Sequence, residues 1–141
     1  MEQRDAIRRI MISVNRIDGI YEKVSKQLGV KANIIWFLYA LDDGSPHSQK
    51  QLCEEWMWPR TTLNTIIQEC IDKGYVTLEP ILGKRREMYI RQTEAGKAYA
   101  RKALDEIYNA EGEALTKSLI QSQAILELEQ FCNELKIAFE L

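Results

Sequence analysis

Residues 48–74 read SQKQLCEEWMWPRTTLNTIIQECIDKG, and the beginning of this stretch carries a helix start signal. Ser48 is followed three residues later by Gln51, so the two side chains can each bond the other residue's backbone N–H in a capping box. A capping box satisfies two of the backbone amides that a helix leaves without partners at its start. The sequence therefore predicts a short helix from about residue 49 to residue 56.

The remainder of the stretch predicts a second helix. Pro59 suits a first helical position, because its fixed backbone angle and missing amide cost nothing there. Gly74 supplies the left-handed conformation that commonly ends a helix. The apolar residues between them follow the i, i+3, i+4, i+7, i+8 pattern and are Leu63, Ile66, Ile67, Cys70 and Ile71. We therefore expect a helix over 59–73 with this apolar side packed inward.

Two alternating segments follow the second helix. Residues 75–79 alternate between apolar and polar side chains, and residues 87–92 do the same. The connection between them, residues 80–86, reads PILGKRR, which is too long for a two-residue turn and basic at its end. The sequence therefore predicts two short antiparallel strands joined by a basic loop. Two short helices, a tight turn and a hairpin together form a helix-turn-helix with a wing.

Helical patterns flank this central region on both sides. Residues 7–28 place apolar side chains at steps of three and four, and Gly29 ends the stripe. Residues 34–41 form a continuous apolar run, interpreted here as a buried helix, although a buried strand has the same pattern. Thr93 is a suitable N-cap for a long helix, and a last helix is expected from about 123 to 139. The predicted fold class is mainly α with a small β-hairpin wing.

The apolar faces of the flanking helices indicate a dimer. They exceed what a compact winged helix of about 60 residues can cover, so they must be buried against something else. A second copy of the chain is the simplest partner. We therefore expect an intertwined helical homodimer.

Composition favours a soluble chain of about one domain. Its 141 residues are 45% hydrophobic and 28% charged, and the formal net charge is −2, so nucleic-acid binding must be local rather than driven by overall charge. The first residues lack the apolar run of a signal peptide, and no apolar stretch approaches the roughly 20 residues that span a bilayer. Three well-separated cysteines suit neither a zinc site nor a disulfide scaffold. A cytoplasmic protein without membrane contact is expected.

The sequence offers no constellation for catalysis or metal binding. It contains no Ser-His-Asp set, no glycine-rich phosphate loop and no cluster of metal ligands. The single histidine, His47, falls in a predicted turn and is expected at the surface. Cys53, Cys70 and Cys132 fall on apolar faces and are expected to be buried, inert thiols. We therefore expect no enzyme activity, no cofactor and no metal.

The central region has the residue types that contact DNA. In a winged helix-turn-helix the second helix lies in the major groove, and its outward residues here are hydrogen-bonding, with no acid before Glu69. Arg60 suits guanine, while Asn64 or Gln68 suits adenine. The basic loop suits the minor groove or flanking phosphates. The expected DNA-binding residues are Ser48, Gln49, Arg60, Thr61, Thr62, Asn64, Thr65, Gln68, Lys84, Arg85 and Arg86.

Two other interpretations of these residues remain open. An ordinary polar helix face and a solvated basic loop have the same composition. A winged-helix dimer can also act as a protein-interaction module without binding an operator, because fold does not fix function. Arg60, Thr61, Thr62 and the basic tip at residues 84–86 favour DNA, whereas exposed apolar residues at those positions would favour a protein partner.

Four segments, in this order and spacing, resemble the MarR (multiple antibiotic resistance regulator) family of bacterial transcription factors. They are Ser48–Trp56, Pro59–Asn64, Asp72–Val76 and Thr93–Gly96, the last of which is similar to the family's Thr-x-x-Gly entry into its long dimerisation helix. The resemblance covers nearly the whole chain. It implies an obligate homodimer whose first helix and last two helices intertwine, and two winged-helix lobes that read a pseudo-palindromic operator in double-stranded DNA.

The resemblance also assigns a role to each part of the chain. Residues 1–29 and 93–141 are expected to form the dimerisation helices, and residues 30–92 the DNA-binding lobe. The wing arginine of the family corresponds to Arg86. Many members have an acid two residues before that arginine, where this chain has Lys84, so its wing is expected to be less rigid and more directed to phosphate. Members are more often repressors than activators.

Many members bind a small aromatic or amphipathic effector between the dimerisation helices and the DNA-binding lobe. The side chains expected to line such a site are Tyr21, Trp36 and Tyr39, since aromatic walls with a hydroxyl group suit such ligands. A plain core role is the alternative for these aromatic residues. Trp56 and Trp58 are expected in the core, with contact to the DNA backbone as the alternative for Trp58.

Overall fold

A computed structural model describes residues 2–141, which are mainly helical. The chain forms two compact units, one up to residue 104 and the other from residue 105 to residue 141, and one long helix runs from the first into the second. In chain order the elements are α1 (Gln3–Leu28), α2 (Ala32–Leu41), β1 (His47–Ser48), α3 (Gln49–Trp56), α4 (Arg60–Asp72), β2 (Val76–Pro80), β3 (Met88–Gln92), α5 (Glu94–Ser118) and α6 (Ser122–Ala138).

The helix signals of the sequence correspond to the observed helix ends. The Ser48 hydroxyl accepts from the Gln51 N–H at 3.1 Å, and the Ser48 N–H donates to the Gln51 side chain at 2.9 Å, so the capping box is present. Helix α4 begins one residue later than predicted, because Pro59 has an extended backbone and takes the N-cap position. Gly74 follows the helix at φ 77°, in the left-handed region that glycine adopts without strain.

The core of the first unit lies where α2, α3 and α4 meet the sheet. On the predicted inward side of α4, Leu63, Ile66, Ile67 and Cys70 are buried, whereas Ile71 near the end of the helix is half-buried. Helix α2 is confirmed as a buried helix. Burial of each large apolar side chain contributes about 1.5–3 kcal/mol, and this is the main term that holds α4 in place. The largest fully buried apolar side chains are Ile35, Phe37, Leu38, Leu52, Leu63, Cys70, Val76 and Leu104.

The sheet has three strands rather than the predicted two. Strand β3 lies in the middle and pairs antiparallel with both β1 and β2. The short strand β1 places His47 opposite Ile90 and Ser48 opposite Tyr89. Two residues are too few to show an alternating pattern, so periodicity contains no signal for this strand.

His47 is buried, which corrects the expectation that it lies at the surface. The residue is 7% exposed, and its Nε2 donates to the Asp43 carboxylate at 2.7 Å. The pairing of β1 with β3 holds the ring in this position. The same carboxylate accepts from the Ser45 N–H at 2.9 Å. These two hydrogen bonds hold the pKa of Asp43 below its usual value. The bond from Ser45 has the larger effect, followed by the bond from His47.

The three cysteines differ in burial, which corrects the expectation that all are buried. Cys70 is buried, Cys53 is half-buried and Cys132 is exposed. Burial raises the pKa of the Cys70 thiol to about 11, so this group stays protonated at neutral pH. A protonated thiol is a poor nucleophile, in agreement with an inert role for Cys70.

Large apolar side chains are exposed on helices of both units. On α1 they include Ile7, Met11, Ile12, Val14, Ile17 and Ile20. In the second unit they include Leu115, Leu119, Ile120, Ile125, Leu126, Leu128, Leu135, Ile137 and Phe139, and α6 has no buried residue. Within residues 2–141, no helix is both long and apolar enough to cross a bilayer.

Candidate nucleic-acid interface

Helix α4 presents a polar face to solvent. Its inward residues are fixed in the core, so the helical repeat turns the intervening side chains outward. The structure places every predicted contact residue of this helix in an exposed position. These residues are Arg60, Thr61, Thr62, Asn64, Thr65 and Gln68.

The outward residues of α4 differ in whether their side chains already form hydrogen bonds within the helix. The Thr65 hydroxyl donates to the Thr61 carbonyl at 3.1 Å, and the Gln68 amide donates to the Asp72 carboxylate at 2.9 Å. Within the part of the chain that the structure describes, the remaining outward side chains make no hydrogen bond and no ion pair. These available side chains are those of Arg60, Thr61, Thr62 and Asn64.

The connection between β2 and β3 forms the wing, defined here as residues 81–87. Its tip is a tight turn, in which the Lys84 N–H donates to the Ile81 carbonyl at 3.0 Å and Gly83 has φ 80°. The Ile81 N–H in turn donates to the Glu87 carbonyl at 3.4 Å, which closes the base of the loop. Lys84, Arg85 and Arg86 follow one another along this closed loop, and all three are exposed.

One carboxylate connects the wing to α3. Glu87 lies 3.9 Å from the Lys84 ammonium through one oxygen and 3.9 Å from the Lys50 ammonium through the other. Lys50 lies in the first turn of α3 and is exposed. The sequence reasoning missed this lysine, although a basic residue next to the predicted contact Gln49 was an available signal. Arg85 and Arg86 form no ion pair among the described residues.

The two predicted contacts at the start of α3 are less accessible than those of α4. Ser48 is buried, and its hydroxyl is engaged in the capping box. Gln49 is half-buried, and its Nε2 is a buried donor without a partner among residues 2–141. DNA contact by these two residues stays a prediction. The Ser48 hydroxyl already accepts a hydrogen bond from the Gln51 N–H.

Hydrogen bonds fix the C-terminal end of α4 to the first turn of α5. The Thr93 hydroxyl donates to the Gly74 carbonyl at 2.6 Å and accepts from the Gly96 N–H at 3.0 Å, so Thr93 is the predicted N-cap. The Thr93 N–H donates to the Tyr75 carbonyl at 3.0 Å. A Cβ on Gly96 would lie 2.0 Å from that carbonyl oxygen, so only glycine fits here.

A charged contact also holds the end of α4 against the start of α2. The Lys31 ammonium lies 3.0 Å from the Glu69 carboxylate, and the Lys73 ammonium lies 3.4 Å from the same oxygen. The hydrogen bond from Lys31 is the largest cause of the lowered pKa of Glu69. The orientation of α4 is therefore set by its buried face, by the Thr93 junction and by this pair.

The predicted effector-site residues lie together in a half-buried aromatic cluster. The Trp36 ring lies 4.6 Å from the Tyr21 ring and 5.8 Å from the Tyr39 ring, between centroids. Trp56 lies 6.1 Å from Trp36 and stacks on Trp58 at 5.3 Å. Both Trp56 and Trp58 are half-buried members of this cluster, which corrects their assignment to the core. All three tryptophans of the chain lie in the cluster.

Comparison with known proteins finds a similarity in sequence over part of the chain and a similarity in fold over nearly all of it. Residues 28–87 match the model of the MarR family. No curated protein matches the sequence. Many solved structures match the fold.

A MarR-family regulator from Neisseria meningitidis is 21% identical, with a TM-score of 0.75, over 99% of this chain and 95% of that chain. A putative MarR-family regulator from Listeria monocytogenes, solved in complex with a 26mer DNA, is 17% identical, with a TM-score of 0.67, over 94% and 87%. A MarR protein from Staphylococcus aureus, solved with salicylate and kanamycin, is 12% identical, with a TM-score of 0.66, over 97% and 92%. The sequence match and the shared winged-helix fold confirm the resemblance of this chain to the MarR family of transcriptional regulators.

Proposed function

We propose that this chain is a homodimeric transcriptional regulator, a repressor, that binds a pseudo-palindromic operator in double-stranded DNA. One observation carries the proposal: the unit up to residue 104 contains both the available polar side chains of α4 and the exposed cations of the wing. In the proposed complex α4 lies in the major groove, and the wing lies over the neighbouring minor groove. The Listeria relative solved with DNA supports the same use of the fold.

The two parts of the interface have different physical roles. Arg85 and Arg86, which form no ion pair within residues 2–141, neutralise phosphates and release counterions, which strengthens binding to any sequence. Arg60 and Asn64 carry donors and acceptors that match the major-groove edges of bases, which gives sequence preference. Lys84 adds charge, but Glu87 offsets part of it at 3.9 Å.

The dimer is proposed because of the exposed apolar faces of α1, α5 and α6. Residues 1–29 and 93–141 are the proposed dimerisation helices, and residues 30–92 the proposed DNA-binding lobe. Contiguous apolar faces of this kind mark interaction surfaces, and a twofold dimer buries the same face of both copies. Such a dimer presents two α4 helices to half-sites about 34–36 Å apart along the duplex.

A small aromatic or amphipathic effector is proposed to bind at the aromatic cluster and to release the operator. The half-buried rings of Tyr21, Trp36 and Tyr39 offer apolar walls with hydroxyl groups. The Staphylococcus relative solved with salicylate supports this class of ligand. A ligand that favours one arrangement of the lobes shifts the dimer away from the spacing that the operator requires.

Selection from a random pool of duplexes tests the DNA-binding proposal. The purified chain is expected to enrich a sequence with twofold symmetry and half-site centres about 10–10.5 base pairs apart, or a multiple of this spacing. The variant that lacks all three wing cations, with Lys84, Arg85 and Arg86 replaced by alanine, is the comparison. A wild type that enriches no duplex contradicts operator binding and favours the protein-interaction alternative.

Titration with salicylate tests the effector proposal. Because every tryptophan lies in the aromatic cluster, intrinsic fluorescence reports directly on this site. Saturable quenching that coincides with release of the selected duplex is expected. Release without a fluorescence change, or quenching without release, contradicts an effector site at the cluster.

A further inference from the structure

A fully exposed leucine forms the tip of the wing. Leu82 is 102% exposed, the highest value of any large apolar side chain that the structure describes. It precedes Gly83 in the tight turn, and the half-buried Ile81 precedes it. None of the other residues that the structure describes therefore covers this side chain.

The turn holds Leu82 in a defined place. The hydrogen bond between the Lys84 N–H and the Ile81 carbonyl closes the turn, and the bond from the Ile81 N–H to the Glu87 carbonyl braces the loop below it. A braced tip loses little conformational entropy when it is buried against a partner. Leu82 is therefore better suited to contact a partner than a leucine on a flexible loop would be.

The charges beside Leu82 indicate what kind of surface covers it. Lys84, Arg85 and Arg86 follow it directly after Gly83, and all three are exposed. A protein surface that covered the leucine would have to desolvate this triplet. The minor groove of DNA instead combines two rows of phosphates with walls of deoxyribose C–H groups between them. Apolar side chains flanked by cations are a recurrent means of contacting that groove.

We propose that Leu82 makes an apolar contact with the minor groove of the operator, beside the phosphate contacts of the wing cations. The inference rests on the proposed function and names a specific contact within it. Leu82 contributes binding free energy because its methyl groups are removed from water, whereas the cations contribute binding free energy because counterions are released from the DNA. The two contributions therefore depend differently on salt.

The experiment measures binding of the selected duplex by fluorescence anisotropy over a range of KCl concentrations. The Leu82→Ala variant is expected to bind about tenfold more weakly at every salt concentration. Its salt slope, the slope of the logarithm of the binding constant against the logarithm of the KCl concentration, is expected to be unchanged. The Arg85→Ala variant is expected to flatten the slope by about 0.9 for each phosphate that it no longer neutralises. Leu78→Ala is the matched control, because Leu78 lies in the same hairpin, is 41% exposed and lies away from the tip. Its affinity is expected to equal that of the wild type.

A second comparison tests which groove is contacted. Replacement of a G·C pair by an inosine·C pair removes only the amino group that guanine places in the minor groove. At the positions under the wing, the wild type is expected to prefer inosine by several-fold, and Leu82→Ala is expected to lose this preference. Equal loss of affinity by Leu82→Ala on both duplexes would overturn the minor-groove assignment.

The outcomes separate this inference from the function on which it rests. If the wild type enriches no duplex, both fail. If the wild type binds its duplex and Leu82→Ala binds equally well, the inference alone fails. If Leu82→Ala changes the sedimentation of the chain but not its affinity for DNA, the leucine serves a contact between copies, and the inference is overturned.

Discussion

At the scale of single residues, the hydrogen bonds within α4 rank the predicted base contacts. Thr65 and Gln68 already bond within the helix, whereas Thr62 and Asn64 do not. A side chain that must give up an internal bond gains less when it meets a base, because the new bond replaces an old one. Periodicity predicts which residues face outward, but it contains no information on which of their groups are already engaged.

The Asn64→Ala variant is therefore expected to lose more affinity for DNA than Gln68→Ala. At the operator position that Asn64 is proposed to contact, we expect Asn64→Ala to lose about 1–3 kcal/mol of binding free energy and to show relaxed base preference. Gln68→Ala is expected to lose less than about 1 kcal/mol, because its amide gives up the bond to Asp72. Anisotropy titrations against all four base pairs at each position provide the measurement. A larger loss for Gln68→Ala would contradict this ranking.

The Asp43–His47 contact predicts a pH effect on stability. Hydrogen bonds from Ser45 and His47 lower the pKa of Asp43, so its contribution is fully present above the usual value of 3.8 and is lost as the pH falls through the lower, folded value. The difference in unfolding free energy between the wild type and Asp43→Asn is expected to be present at neutral pH and to shrink below pH 3.8. Urea titrations at a series of pH values measure it. A difference that persists unchanged in acid would contradict the assigned bonds.

At the scale of elements, the junction after α4 joins the helix of the proposed DNA contacts to the start of the long helix α5. Thr93 bonds the end of α4 and caps α5, and Gly96 allows the two backbones to touch. This explains in physical terms why a Thr-x-x-Gly pattern stands at the entry to α5. Sequence alone predicts the cap, whereas the need for glycine follows only from the position of the Tyr75 carbonyl.

Gly96→Ala is expected to destabilise the protein. Its methyl group would lie 2.0 Å from a backbone oxygen, so α5 or the end of α4 must shift, at a cost of about 1–3 kcal/mol in unfolding free energy. Gly112→Ala in the same helix is the matched control, because its methyl group meets no described heavy atom within 4 Å. That variant is expected to gain about 0.5–1 kcal/mol from helix propensity. Equal stability of the two variants in urea would contradict the close approach.

The elements that the sequence predicts correctly are those with local signals. Helices α3 and α4 begin at recognisable caps, and α4 is followed by the glycine that stops it, so their bounds differ from prediction by a residue or less. Strand β1 has no such signal, because its two residues pair with a strand that lies more than 40 positions away. The burial of His47 follows from that pairing, which explains why its surface prediction is wrong.

At the scale of the whole molecule, the exposed apolar faces of the helices are the basis of the proposed dimer. Amphipathic periodicity predicts such faces on the flanking helices, and the structure shows that they are exposed within a single chain. The partial exposure of Trp56 and Trp58 is not predictable in the same way, because their apolar character alone does not distinguish a core from a cluster at its edge. Those rings contribute to the proposed effector site instead.

Ile17→Glu is expected to weaken the dimer. Ile17 is 54% exposed on the apolar face of α1, and burial of a charge in an interface costs several kcal/mol unless it is paired. Sedimentation is expected to give twice the 16.4 kDa chain mass for the wild type and a shift toward the single mass for the variant. Met57→Glu also replaces an exposed apolar side chain with an acid, but outside the proposed dimerisation helices, and this variant is expected to stay dimeric. A monomeric wild type at micromolar concentration would contradict the dimer.

The wing and α4 are expected to bind DNA by different physical means, and salt-dependent binding of one selected duplex tests this division most directly. Arg86→Ala is expected to weaken binding to every sequence and to flatten the salt slope by about 0.9 for each phosphate that it leaves without a cation. Thr62→Ala is expected to lose about 1–3 kcal/mol at one operator position, with the slope unchanged. Unchanged affinity in both variants would contradict these roles of the wing and α4.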